Sequence, residues 1–197
     1  MNRPWMFALA LVAGALLVAA PQAQAQEMTP EMMAAWTENA TPGENHQVLD
    51  GTVGKWEQKM TMWMAPGAPP LESTSTSTAA WSMDGRWMEE SMSGTVMGMP
   101  FQGRNLMGYD NFRDEYVSIW TDNMSTAPMI SRGTYDPATK TFTLTGTMDD
   151  IMSGTRDIPF RQVTTITDDT HATLEMYAPG PDGNEFLTMR VEATKVE

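Results

Sequence analysis

Apolar and polar residues alternate at every second position over most of the chain after Lys55. The segment Thr141-Phe142-Thr143-Leu144-Thr145 shows the pattern most clearly, because Phe142 and Leu144 fall on one face and the threonines on the other. A period of two is typical of an extended strand, and the recurring branched and aromatic residues favour strands over helices. The pattern therefore predicts β-structure from about Gly54 to the C-terminal end.

Turn-forming residues separate the predicted strands at short intervals. The turn signals are Pro66-Gly67, Asp84-Gly85, Tyr109-Asp110-Asn111, Asp136-Pro137 and Pro181-Asp182-Gly183. Short strands with regular turns predict about eight to ten strands in a sandwich or an up-and-down barrel. No segment after Leu49 has the pattern of a long helix, which argues against a parallel βαβ fold. The alternating serines and threonines of residues 73–78 fit an exposed strand better than a loop.

Two short helices are predicted before the first strand. Thr29 and Pro30 have the residue types of an N-cap and a first helical position, and a helix is expected over residues 31–38. Thr41 and Glu44 have the spacing of a capping box. A second brief helix is therefore expected over residues 42–49.

The first 25 residues have the three-part layout of a secretory signal. Arg3 is followed by an uncharged apolar run over residues 5–20, and Ala23-Gln24-Ala25 is a small-x-small cleavage pattern. A membrane anchor is the alternative, but the run is shorter than the ~20 residues that cross a bilayer. The predicted organisation is a signal peptide at 1–25, a helical segment or linker at 26–45 and a barrel domain at 46–197. Cleavage after Ala25 would place the mature protein in a bacterial periplasm or outside the cell.

Composition excludes several functional classes. The net charge of −13 argues against a nucleic-acid partner, because phosphates would be repelled. The absence of Cys excludes a disulfide scaffold, a thiolate metal site and a cysteine nucleophile. No second apolar stretch reaches spanning length, so no membrane span is expected after cleavage. The 20 methionines are the unusual feature that remains.

A series of short motifs carries a resemblance to a known family. The motifs are His46-x-x-Leu49, Gly54-x-Trp56, Asp84-Gly85-Arg86-Trp87, Met99-Pro100-Phe101-Gln102-Gly103, Gly108-Tyr109-Asp110-Asn111, Tyr116-x-x-x-Trp120-x-Asp122, Ser125-Thr126, Gly133-x-Tyr135-Asp136 and Glu175-Met176-Tyr177. Their order resembles the bacterial domain-of-unknown-function family 1579, from about His46 to Met189. Members often close on an aromatic-x-Arg, where this chain has Ala193-Thr194-Lys195.

The resemblance implies an all-β fold, a single antiparallel lipocalin-like β-barrel preceded by short N-terminal helices, and no established activity. The Gly54-x-Trp56 motif is also similar to the start of lipocalin barrels. In those barrels the Trp packs at the closed end near a basic residue of the last strand. Arg190 or Lys195 would take that role here.

The candidate site is a small-molecule pocket with an aromatic and thioether lining and a polar rim. The residues predicted to line it are Trp56, Met60, Met62, Trp87, Tyr109 and Trp120. The residues predicted at its polar rim are Arg86, Asp110, Asp122, His171 and Glu175. The alternative for the two aspartates is structural, with Asp110 capping its own turn and Asp122 binding backbone at a strand end.

Two other functions are alternatives to small-molecule binding. Thioethers are Cu(I) ligands, so Met60, Met62 and Met64 could form a copper site, although methionine also fills irregular cores. An enzyme would use Asp110, Asp122, His171 or Glu175 as acid or base, and would need two of them at one cavity. His46 and His171 lack a metal-binding spacing, and no nucleophile elbow or cofactor fingerprint is present. The leading hypothesis is an exported binding module for a small apolar or amphipathic ligand, with no catalytic residue, no metal ligand and no cofactor assigned.

Overall fold

The chain forms one closed antiparallel barrel preceded by short helices, which confirms the predicted fold class. The computed structural model describes residues 28–196. The predicted signal peptide and its cleavage site lie outside the described residues. The ten strands are β1 Gly54–Met62, β2 Leu71–Ser82, β3 Trp87–Val96, β4 Met99–Asp110, β5 Glu115–Asp122, β6 Met129–Asp136, β7 Thr141–Asp150, β8 Thr155–Ile166, β9 His171–Pro179 and β10 Glu185–Lys195.

The strands follow an up-and-down order. Each strand pairs with the next along the chain, and β1 pairs with both β2 and β10, so the sheet closes without a free edge. The Ser-Thr run at 73–78 lies within β2, as predicted. Its serines face inward, with Ser77 buried, while its threonines are exposed on the outer face.

Within residues 28–53, two helices and a 3₁₀ helix precede the barrel. Helix α1 spans Pro30–Ala40, and the Thr29 hydroxyl caps it by accepting a hydrogen bond from the Met32 backbone N–H at 3.2 Å. Helix α2 spans Glu44–Gln47 and runs into a 3₁₀ helix over Val48–Thr52. None of the helices within residues 28–196 is long and apolar enough to cross a membrane.

The start of α2 differs from the predicted capping box. Gly43 is its N-cap, and the Gly43 N–H donates to His46 Nδ1 at 3.1 Å. Thr41 instead ends α1, and its hydroxyl donates to the Thr37 carbonyl at 2.6 Å. The predicted role of Thr41 is therefore wrong, because its hydroxyl bonds backward to the preceding helix rather than forward to the next one.

Residues 44–52 cover one end of the barrel, which we call the plugged end. The main core lies at this end, where Leu49 of the cover and Phe142 and Leu144 of the barrel wall are each no more than 1% exposed. The opposite end, where β1 finishes and β2 begins, we call the far end. No helix or strand among the described residues covers the far end.

Candidate ligand-binding interior

The inward-facing residues change character along the barrel axis, from apolar at the plugged end, through a polar middle, to a methionine-rich far half. At the plugged end they are buried and mostly apolar or aromatic. They are Ala79, Met88, Met107, Tyr116, Phe142, Leu144 and Ile166, packed against Leu49 from the 3₁₀ helix. Their low exposure shows that side chains pack closely against one another at this end of the lumen.

We call these buried residues, together with Leu49, the plug. Its aromatic rings pack against one another around Tyr116. Its ring lies 4.9 Å from Tyr109 and 5.0 Å from Phe142, both in edge-on arrangements. Tyr135 packs 4.6 Å from Phe142. Burial, with smaller contributions from Tyr109 and Tyr135, raises the pKa of Tyr116 to about 12. Tyr116 therefore remains protonated over the physiological range.

Three aromatic side chains of the wall donate hydrogen bonds to the helical cover. Trp56 Nε1 donates to the Thr52 carbonyl at 2.9 Å. Trp81 Nε1 donates to Asp50 Oδ1 at 2.7 Å. The Tyr116 hydroxyl donates to the Asn45 carbonyl at 2.8 Å. These bonds give partners to the two carbonyl groups and the carboxylate, which would otherwise lack protein donors next to the core.

His46 belongs to the same plug. It is 4% exposed, and its ring meets the edge of Tyr109 with centroids 5.9 Å apart. Burial lowers the His46 pKa, and a hydrogen bond with the Tyr109 backbone partly opposes this effect. His46 is therefore neutral at pH 7, and its Nδ1 accepts the bond that caps α2.

A polar layer follows the plug at mid-depth. Gln58 Nε2 donates to Ser77 Oγ and to Glu90 Oε1, both at 3.1 Å, and Ser75 Oγ donates to Gln58 Oε1 at 3.0 Å. A second pair of inward-facing polar residues lies further round the wall, where Ser118 Oγ donates to Asn105 Oδ1 at 2.7 Å. This layer gives the lumen hydrogen-bonding groups between two apolar regions.

Methionines that the strand register turns inward line part of the far half of the lumen, beside the buried Phe160 of β8. They are Met60, Met62, Met92, Met129, Met148, Met176 and Met189. Met176 is 8% exposed, and the others are half-buried rather than buried. Met62, Met189 and Met176 occupy directly paired positions on β1, β10 and β9, so they form one row across the wall.

Trp120 lies flat against the inner wall of the far half. A Cβ on Gly103 would fall 2.4 Å from the Trp120 ring, so the ring occupies space that only glycine leaves open. Trp120 Nε1 donates to Asp122 Oδ2 at 2.8 Å, and Phe101 stacks on the ring with centroids 6.3 Å apart. The indole is thus held from three sides.

A shallow apolar depression lies beside the far end. Its volume is about 260 Å³, and it is lined by Trp63, Ala65, Pro66, Gly67, Phe186 and Leu187. Phe186 and Leu187 stand on opposite faces of β10, next to an irregularity in the β9–β10 pairing. The depression therefore adjoins the barrel wall and not the middle of the lumen.

The structure brings only part of the predicted lining together. Met60, Met62 and Trp120 face the far half of the lumen, whereas Trp56 and Tyr109 lie toward the plugged end. Trp87 stands on the outer face, since it neighbours the inward-facing Met88 and its ring covers Gly108 from outside. The far-half residues therefore form a different set from the one that spacing alone suggested.

The predicted polar rim is dispersed. Asp110 accepts the Phe112 and Arg113 N–H groups in the β4–β5 turn at the plugged end, at 3.0 and 3.1 Å. Asp122 accepts the Met124 and Ser125 N–H groups at the far end, at 2.8 and 3.1 Å. This is the geometry of the structural alternative. Arg86 follows the β2–β3 turn at the plugged end, where its guanidinium donates to the Met83 carbonyl at 3.2 Å.

His171 and Glu175 lie on the outer surface of β9. His171 is exposed and contacts Asp168 at 3.0 Å. Glu175 binds the guanidinium of Arg190 at 2.6 Å and accepts a bond from the Tyr177 hydroxyl at 2.7 Å. These two donors lower the pKa of Glu175, the hydroxyl contributing more. None of Asp110, Asp122, His171 and Glu175 bonds to another of the four.

Sequence reasoning missed Gln58 and Glu90. The signal for Gln58 was present, since it falls between Trp56 and Met60 in the period-two pattern of β1. Glu90 is harder to assign, because the adjacent Glu89 is identical in type and faces outward. Among residues 28–196, no group of three or more His, Asp or Glu side chains is arranged to hold a metal ion.

Comparison with known proteins gives a family and a fold. A sequence model of the family "Protein of unknown function (DUF1579)" matches residues 41–195. The crystal structure of Rv2717c from M. tuberculosis is similar with a TM-score of 0.59 at 11% identity, covering 80% of this chain and 100% of that one. The S-type phycobiliprotein lyase CPES from Guillardia theta is similar with a TM-score of 0.54 at 11% identity, covering 79% of this chain and 99% of that one. No curated protein matches the sequence.

Proposed function

The chain belongs to the DUF1579 family of proteins of unknown function, and we propose that its barrel is a binding module for a small apolar or amphipathic molecule. The observation that supports this proposal is the difference in side-chain burial between the two halves of the lumen. Side chains fill the plugged end, whereas most of the inward-facing methionines of the far half are only half-buried. An interior wall that is apolar and still accessible is the usual form of a small-molecule site.

The lining of the far half suits an apolar or amphipathic ligand. Methionine is flexible and polarisable, so it adapts to ligands of different shape. Trp120 supplies a rigid flat surface beside those methionines. Each Å² of apolar ligand surface removed from water would contribute about 25 cal/mol. The likeness to a phycobiliprotein lyase is compatible with this proposal, and at 11% identity it concerns the fold.

A neutral apolar dye tests the proposal. N-phenyl-1-naphthylamine fluoresces when it leaves water, and we expect one molecule to bind per barrel. Replacing Met92 with Arg puts a charge into the far half and should abolish the signal. The matched control is Ser93→Arg, whose position is next in sequence and exposed on the outer face, and this variant should bind like wild type. Absence of binding to folded wild type, or equal binding by both variants, would refute the proposal.

The exported location is part of the same proposal and rests on the sequence of residues 1–25. Expression in a bacterial host followed by cell fractionation tests it. We expect the periplasmic or secreted protein to begin at Gln26 by N-terminal sequencing. A cytoplasmic product that keeps residues 1–25 would contradict export.

A Cu(I)-binding role is the second candidate, and the Met62–Met189–Met176 row favours it. Paired positions on neighbouring strands place Cβ atoms about 4.5–5.5 Å apart, and three flexible thioethers at that spacing can converge on one soft ion. Met64, which spacing also suggested, lies beyond the end of β1 and is 71% exposed.

Competition with a Cu(I)-selective chelator tests the copper candidate. Replacing Met62, Met176 and Met189 with Leu keeps the apolar volume and removes the sulfur, so tight binding should disappear. Replacing the exposed Met83 and Met152 with Leu is the control and should change nothing. If the first variant retains Cu(I) as wild type does, the row is not a copper site.

A further inference from the structure

Glu90 projects its carboxylate into the middle of the lumen, where Gln58 donates to it. On β3 it lies between the inward-facing Met88 and Met92. Its neighbours across the sheet are Ala79 on β2 and Asn105 on β4, both also inward. Glu90 is half-buried, so a molecule in the far half of the lumen can reach it.

The hydrogen bonds around Glu90 fix the position of its carboxylate but engage only one of its two oxygens. The Gln58 amide donates one N–H to Ser77 and the other to Glu90 Oε1, and its oxygen accepts a hydrogen bond from Ser75. The amide is thus held in one orientation. Within residues 28–196, Glu90 Oε2 has no hydrogen-bond partner, and no cation pairs with Glu90.

Lys195 and Asp122 also face the lumen, and both are already engaged. Lys195 lies near the plugged end with its Nζ over the Trp56 ring. Asp122 accepts bonds from Trp120 and from two backbone N–H groups at the far end. A carboxylate enclosed by a bound apolar molecule loses water and needs donors or a cation in exchange. Glu90 is therefore the charged group for which a bound ligand would have to supply a hydrogen-bond donor or a cation.

We propose that the barrel selects an amphipathic amine, whose ammonium group binds Glu90 and whose apolar tail lies along the methionines of the far half. This inference rests on the proposed function. The ammonium would donate to Glu90 Oε2, with the Asn105 side chain beside it on β4. From Glu90 to Val96 the strand advances about 20 Å, or about 15 Å along the barrel axis after strand tilt. That depth suits an extended dodecyl chain.

Displacement of N-phenyl-1-naphthylamine by three ligands with the same tail tests the inference. The ligands are dodecylamine, dodecanol and dodecanoate at neutral pH. We expect dodecylamine to displace the dye from wild type at a concentration about tenfold lower than dodecanol, which is the typical value of a charge-assisted hydrogen bond. Dodecanoate should be the weakest, since its carboxylate would meet Glu90.

Two neutralising variants separate Glu90 from the acidic surface as a whole. Glu90→Gln should remove the preference for the amine over the alcohol. Glu89→Gln makes the same charge change on the outer face, where Glu89 lies 3.7 Å from Arg104, and it should leave the preference intact. A third variant, Asn105→Lys, supplies a cation to Glu90 from within the chain and should weaken dodecylamine while dodecanol still displaces the dye.

The outcomes of this experiment are distinct. Equal displacement by amine and alcohol in wild type overturns the inference while the binding module stands. The inference also falls if Glu90→Gln and Glu89→Gln have the same effect, or if Asn105→Lys leaves dodecylamine unaffected. If the dye never binds folded wild type, the proposed function itself fails.

Discussion

Lys195 Nζ lies 5.3 Å from the centroid of the Trp56 ring, and the two residues face each other across the β1–β10 pair that closes the barrel. The resemblance to lipocalin barrels predicts a basic residue of the last strand at this place, either Lys195 or Arg190. Arg190 instead lies on the outer face, where it binds Glu175. The cation over the ring therefore comes from the end of the last strand, beside the plug.

Removal of the Lys195 charge should weaken the closure of the barrel. Lys195→Met keeps an unbranched apolar stem, and the lost cation–π contact should lower the free energy of unfolding by about 0.5–1 kcal/mol. Urea unfolding measures this change. The control is Lys59→Met, which removes an outward charge paired with Glu72 at 3.3 Å and should cost less. An effect of Lys59→Met as large as that of Lys195→Met would show that net charge and not the ring contact is responsible.

Alkaline pH should destabilise the fold through Tyr116. Its pKa is about 12 in the native protein, whereas an unfolded tyrosine ionises near 10. The stabilising contribution is therefore fully present below pH 10 and is lost between pH 10 and 12, because only the unfolded chain releases its proton there. Urea unfolding at several pH values should show a loss of about 2 kcal/mol over that window.

Tyr116→Phe is the matching variant for the alkaline experiment. It removes the hydroxyl that bonds the Asn45 carbonyl, so its stability should be lower at neutral pH by about 1–3 kcal/mol. Above pH 10 its decline should be shallower than that of wild type, because the titrating group is gone. Parallel declines in the two proteins would show that other groups cause the alkaline loss.

The barrel was predictable from sequence because alternation is a local property of each strand. Phe142 and Leu144 were placed on one face by their spacing, and both are in the core. Alternation could not predict whether the Trp87 side chain points into the lumen or outward. Met83 and Asp84 take positive φ values of 49° and 55° in the turn before it. Alternation cannot be counted across such a turn, so which face of β3 points inward depends on pairing with β2 and β4.

Which of the candidate site residues lie close together also depends on the register of strand pairing, which the sequence does not show. Tyr109 and Trp120 stand on neighbouring strands, and proximity in sequence suggested a shared rim. In the structure Tyr109 pairs with Tyr116 near the plug, while Trp120 pairs with Asn105 further along β5. Four residues of strand separate Tyr116 from Trp120, which is about 13 Å. The composition of the polar layer likewise depends on strand pairing, because Gln58 and Glu90 come from β1 and β3 and share no sequence motif.

A methyl group on Gly103 should displace Trp120. Gly103→Ala places a Cβ 2.4 Å from the ring, so the indole must move away from Asp122. We expect a loss of about 1–3 kcal/mol in unfolding free energy, as for other overpacked positions, together with a shift in tryptophan fluorescence. In a Trp120→Ala background the same change should cost less than about 0.5 kcal/mol. Equal costs in both backgrounds would mean that the backbone and not the ring resists the methyl group.

The plug should carry much of the stability of the fold, and two phenylalanines of opposite exposure test this. Phe142 is 1% exposed and contacts the rings of Tyr116 and Tyr135, so Phe142→Ala should cost about 3–5 kcal/mol. Phe112 is 85% exposed in the β4–β5 loop, and Phe112→Ala should stay within about 0.5 kcal/mol of wild type. Urea unfolding followed by circular dichroism compares the two directly. A cost below about 1 kcal/mol for Phe142→Ala would mean that the plug collapses around the lost ring, since a rigid plug would retain a cavity of that size.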